Sequence, residues 1–224
     1  MNFRHAGKAI GGLLFPLILT LFVIALSLSQ IMEGGALKDI FIEVISSQVP
    51  EDVDDASLVA AFIAQCSGKE TLQVDIGGEY LPVKCEEMRK SKTAEDVAGA
   101  IFDAQYAKKY DCSFIDCVKF IPGIIATAQG NGVIKNLSYI FLALSVIFGA
   151  VLMASLKGFG RLTWFGIAVI SVGVMYFPLL YMPNIAGGLE TTMVKTFASN
   201  FLIVLVAGFA IAAAGVIGGL LKKK

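Results

Sequence analysis

The run from Ile10 to Ile31, IGGLLFPLILTLFVIALSLSQI, holds no Asp, Glu, Lys, Arg or His, and that absence restricts what the chain can fold into. A helix crosses the hydrocarbon core of a bilayer with about 20 apolar residues, and lipid demands that a spanning segment satisfy its own backbone hydrogen bonds. The runs 137–156, 162–181 and 197–221 are equally free of charge. The sequence therefore predicts a polytopic α-helical membrane protein with four transmembrane helices. Composition agrees, with 56% hydrophobic and 16% charged residues against about 45–50% and about 25% in soluble domains.

Charge placement sets the expected orientation. Arg4 and Lys8 precede the first run, Lys157 and Arg161 separate the second from the third, and Lys222, Lys223 and Lys224 follow the fourth. None of these segments has an acid, whereas the stretch between the first two runs carries 17 of the 18 acidic residues and 10 of the 18 basic ones. The positive-inside rule then puts segments 1–9, 157–161 and 222–224 on the cytoplasmic side of the plasma membrane, so that both N and C termini are cytoplasmic. Segments 32–136 and 182–196 are expected outside. The first run is longer than the 7–15 residues of a signal-peptide core, and it is read as an uncleaved anchor.

Segment 32–136 is large enough to fold, and its patterns predict a mainly helical (α+β) extracytoplasmic domain. Leu37, Ile40, Phe41, Val44 and Ile45 share one face of a helix, as do Leu58, Val59, Phe62, Ile63 and Cys66. TLQVDIGGEYLPV alternates around Gly77-Gly78, the signature of a hairpin. Thr93, three residues before Asp96, suits a capping box at the start of a third helix. Phe120 to Gly132 is too short and too broken by Pro122-Gly123 to span, and is expected to pack the domain on the bilayer.

All four cysteines, Cys66, Cys85, Cys112 and Cys117, fall in this segment. An even number confined to an oxidising compartment predicts two disulfides. If 112–117 is helical, an i, i+5 pair is rotated by about 140° and separated by about 7.5 Å along the axis, too far to bridge. The expected pairs are Cys66 with Cys117 and Cys85 with Cys112. The spacing Cys-x4-Cys lacks the short separation of a redox motif, and the only histidine, His5, lies across the membrane from any metal site the cysteines could form. The acidic run Glu51, Asp52, Asp54 and Asp55 lacks the loop spacing of a calcium site and reads as a solvated loop before a helix.

No nucleophile, phosphate-binding or dinucleotide motif is present, so the chain is expected to be non-enzymatic and free of metals and cofactors. In the fourth run, Gly208, Ala212, Gly215 and Gly219 form two small-xxx-small pairs, a pattern that lets helix backbones approach within one chain or between copies. Pro16 and Pro178 mark kinks in the first and third runs. In topology alone, a disulfide-bearing outer loop on four spans is similar to claudins and tetraspanins. The aromatic signature of the first cannot be met with Trp164 as the only tryptophan, and the second has a Cys-Cys-Gly motif absent here, so no family is assigned.

The function expected is that of a structural or interaction protein whose outer domain recognises or assembles with a partner. The alternative is a subunit of an oligomeric pore, with Ser27, Ser29, Ser145 and Ser155 facing its lumen, and the remote alternative is a membrane thiol-disulfide oxidoreductase. Expected partners are the lipid bilayer and a second copy or another membrane protein, with no nucleic acid.

Overall fold

A helix that begins among the basic residues near the start of the chain runs unbroken through the first apolar segment. It is α1, Phe3–Glu33, and it passes Pro16 without ending. The computed structural model describes residues 3–33, 35–48, 54–76, 79–111, 127–156, 158, 160–175, 177–178 and 191–221. After α1 come α2 (Ala36–Gln48), α3 (Asp55–Gln65), β1 (Thr71–Ile76), β2 (Glu79–Lys84), α4 (Cys85–Met88), α5 (Ala94–Ala107), α6 (Ala128–Ser155), α7 (Gly160–Gly173) and α8 (Thr191–Leu221). The chain divides into two compact units, Met32–Val133 and a second made of Met1–Ile31 with Ile134–Lys224.

Among the described residues, the unit Met32–Val133 is built from a hairpin and the four helices α2 to α5, with the first turns of α6. Gly35, at φ 74°, adopts the left-handed conformation in which a residue with a Cβ is strained, and it separates α2 from α1. β1 and β2 pair antiparallel with Leu72 opposite Val83 and Val74 opposite Leu81. Alternation along each strand therefore puts these four side chains on one face, where Leu72, Leu81 and Val83 are buried against Val97 and Ile101 of α5. Phe41 of α2 and Phe62 and Ile63 of α3 pack on the same core. Helix α5 opens with the capping box read from the sequence: Asp96 N donates to Thr93 Oγ1 at 3.1 Å, and Thr93 N to Asp96 Oδ2 at 3.1 Å. It ends at Ala107. Tyr110 N donates to Gln129 Oε1 at 2.8 Å and Gln129 Nε2 to Tyr110 O at 3.1 Å, which ties residue 110 to the first turn of α6.

Cys66 and Cys85 are joined by a disulfide with Cα atoms 5.4 Å apart. This corrects the expected pairs: Cys66 is bonded to Cys85, not to Cys117, and Cys85 is therefore not bonded to Cys112. The helical reading of 112–117 that excluded a more local pattern falls outside the described residues, as do Cys112, Cys117 and most of 120–132. Cys66 closes α3 and Cys85 opens α4 directly after the hairpin, so the strands return the chain to the end of α3. Arg89 reinforces the junction, donating from Nη2 to Cys66 O at 2.9 Å.

Among the described residues, three helices are long and apolar enough to cross a membrane: Gly7–Glu33, Ala128–Ser155 and Met193–Leu221. In place of the expected span 162–181 stands α7, 14 residues from Gly160 to Gly173, about 21 Å long against a hydrocarbon core of about 30 Å. Pro178 supplies the physical reason. In a continuous helix its ring would clash with the carbonyl four residues earlier, that of Val174; at 174–175 the helix gives way to a turn, and Val174 O accepts from Phe177 N at 3.1 Å. The four-span fold is corrected to three, and with it the placement of both termini on the cytoplasmic side. An odd number of crossings is inconsistent with two ends on one face of the membrane.

The disulfide is the first point to test. Replacing Cys85 with Ser should destabilise the domain by about 2–5 kcal/mol, read as a lower thermal midpoint. A non-reducing peptide map should give a Cys66–Cys85 cross-link, and a Cys66–Cys117 cross-link would contradict the structure.

Candidate interaction groove on the disulfide-bonded domain

Helices α2 and α5 lie side by side, held at their surface by an ion pair between Lys38 Nζ and Asp103 Oδ2 at 2.6 Å. They can come this close because Gly99 faces α2: a Cβ there would stand 3.3 Å from Lys38 Cε. The turn after α4 closes the third side. A groove of about 410 Å³ results, bounded by Lys38 and Ile42 of α2, by Glu87, Lys90 and Ser91, and by Glu95, Asp96, Gly99, Ala100 and Asp103 along one face of α5.

The groove's charges are unequally committed. Lys90 Nζ pairs with Glu86 Oε1 at 2.7 Å, which holds the Glu86 carboxyl below its ordinary value and the Lys90 ammonium above its own. Asp96 accepts from the backbone N–H groups of Lys92, at 2.8 Å, and Thr93, and these donors depress its pKa below the ordinary 3.8. The Asp96 contribution to stability is therefore present above the unfolded value and lost as pH falls through the lower folded one. Both lysines are neutralised in place, while Glu95 makes no hydrogen bond or ion pair among the described residues. Four carboxylates against two lysines leave the groove acidic, suited to a cationic partner group. No cluster of three or more His, Cys, Asp or Glu side chains that could hold a metal ion occurs among the described residues.

The other residues singled out from the sequence lie elsewhere. Cys66 and Cys85 are 0% and 1% exposed, a sealed environment in which a bridge is structural, since thiol exchange needs access to sulfur. Ser27, Ser29, Ser145 and Ser155 are all buried within the membrane unit. Ser27 Oγ donates to Val23 O at 2.8 Å and Ser155 Oγ to Val151 O at 2.7 Å, so those hydroxyls serve their own helices. Ser145 Oγ is buried without a partner among the described residues.

Gly208, Ala212 and Gly215 face α7 of the same chain. A Cβ on Gly208 would come within 2.7 Å of Ile170 N, and one on Gly215 would collide with the backbone of Thr163. Gly219 is half-buried. The partner positions on α7 were missed in the sequence: a Cβ on Gly166 would strike the Ala212 backbone, and one on Gly173 the Leu205 backbone. These pairings run α7 antiparallel to α8. A second pair, Gly7 and Gly11, admits α6, with a Cβ on Gly11 only 3.1 Å from Leu152 Cα. Their four-residue spacing was the available signal, but Gly7 lies before the apolar run. Asn200, also missed, donates from Nδ2 to Ser27 Oγ at 2.9 Å and to Gln30 Oε1 at 2.7 Å, clamping α8 to α1.

Gly215→Leu should therefore overpack the α7–α8 seam and destabilise the membrane unit by about 1–3 kcal/mol, seen as a lower melting midpoint of the detergent-solubilised protein. Gly160→Leu, where a Cβ meets nothing within 4 Å, is the control. Equal midpoints for the two variants would show that the seam does not depend on close approach. No protein-family model, curated protein or solved structure matches this chain, so its function is read from its own residues.

Proposed function

We propose that this chain is a non-enzymatic membrane protein whose extracytoplasmic domain recognises a partner through the groove between α2 and α5. What supports the coarser part is direct: three helices of crossing length and a disulfide-bonded helical and β domain between the first two. The observation that carries the finer part is the groove itself, about 410 Å³, on a domain with far more acids than bases. Its walls are α5, whose N-terminus is capped, and α2, which the Lys38–Asp103 pair joins to it at the surface. A preformed site spares a partner the ordering cost that weakens association with mobile surfaces, and a one-signed field steers oppositely charged segments towards it.

A photo-cross-linking residue at Glu95 in native membranes tests this reading. A discrete cross-linked species should form from Glu95 and not from Lys69, an exposed position outside the groove. Adding Glu87→Lys should remove the species. Equal cross-linking from Lys69, or a species that survives Glu87→Lys, would contradict the assignment.

A further inference from the structure

A second cavity, within the membrane unit, has a chemistry unlike the groove. It is a cleft of about 480 Å³ between the first turns of α1, the end of α6 and one face of α7. Leu152, Leu156 and Ile167 give it apolar walls, and Trp164, 62% exposed, contributes an indole. Ser171 also lines it, but its hydroxyl donates to Ala168 O at 2.7 Å and offers little to a ligand. A Cβ on Gly12 would meet nothing within 4 Å, so the missing side chain there leaves the cleft open.

Among the described residues that line the cleft, Lys8 is the one that carries charge. It is exposed and makes no ion pair or hydrogen bond among the described residues. It stands one helical turn before Gly12, about 6 Å along the axis, and just before the charge-free run that starts at Ile10. The cleft therefore has a cation at the membrane edge and hydrocarbon walls beyond it, with the tryptophan type that concentrates at bilayer interfaces.

We propose that this cleft binds an anionic phospholipid, with its phosphate paired to Lys8 and one acyl chain laid against Leu152, Leu156 and Ile167. The charge and the apolar walls select together. Free phosphate would leave the walls in contact with nothing, and a zwitterionic lipid would bring a cationic headgroup beside the Lys8 ammonium. A basic residue near the membrane surface favours anionic lipid by about fivefold.

Trp164 is the only tryptophan in the chain, so its fluorescence reports on this cleft without a label. The full chain is reconstituted in phosphatidylcholine vesicles containing equal mole fractions of brominated phosphatidylglycerol or brominated phosphatidylcholine. Phosphatidylglycerol should quench more strongly, with a relative binding constant of about five. Lys8→Gln should abolish the preference and Lys8→Arg should keep it. Gly12→Leu should weaken quenching by both lipids, because the added side chain fills the cleft. Excess inorganic phosphate should leave quenching unchanged. Equal quenching in the unsubstituted protein, a preference that survives Lys8→Gln, full quenching in Gly12→Leu, or displacement by phosphate would each overturn the proposal. Retained preference in Lys8→Arg shows that substitution at this position leaves the fold intact.

Discussion

Backbone-to-backbone approach at glycine is the interaction on which the membrane unit depends. Two apolar helices in lipid gain nothing from excluding solvent, since the acyl chains are as apolar as their side chains, and association falls to close packing and interhelical hydrogen bonds. Both are present here. Gly166, Gly173, Gly208 and Gly215 bring α7 against α8, and Gly7 and Gly11 bring α1 against α6. Asn200 adds hydrogen bonds between α8 and α1 at Ser27 and Gln30. With the glycine face of α8 occupied by α7, bulky apolar side chains are among those left outward: Ile203, Val206 and Ile217 are 63%, 60% and 57% exposed. That is the surface a bilayer solvates.

The outer unit works under the opposite condition. In water its core is held by burial, with Val83 and Met88 fully enclosed, and the Cys66–Cys85 bridge restrains the unfolded chain. The same staple fixes α4 and the turn after it, which form one wall of the acidic groove, so the element that stabilises the domain also borders that groove. Glu95 carries charge into the groove without a partner among the described residues, while Asp96, beside it, is committed to the cap.

Local signals in the sequence were legible where a short spacing determines a short-range structure. Alternation on either side of Gly77-Gly78 marked the strands, Thr93 and Asp96 marked the start of α5, and the stripe that includes Val59 and Cys66 marked a buried face. Signals failed where the outcome depends on distant residues. The charge-free run 162–181 reads as a span kinked at Pro178, whereas the helix gives way to a turn at 174–175. The cysteine pairing depends on how the hairpin returns the chain, which no spacing between cysteines encodes. The groove joins Lys38, Glu87 and Asp103, residues that only tertiary packing makes neighbours. Asn200 went unnoticed because an uncharged amide at the start of an apolar run does not lower its hydropathy enough to stand out.

The central claim is that a folded, disulfide-bonded domain lies outside the membrane while the link after α6 lies on the other side. Single cysteines at Glu95, in the domain, and at Gly158, after α6, measure this directly when an impermeant maleimide is applied to intact cells, with the unsubstituted chain as background. The account predicts labelling of Glu95→Cys in intact cells and of Gly158→Cys only after permeabilisation. Labelling of Gly158→Cys in intact cells while Glu95→Cys stays protected would contradict it.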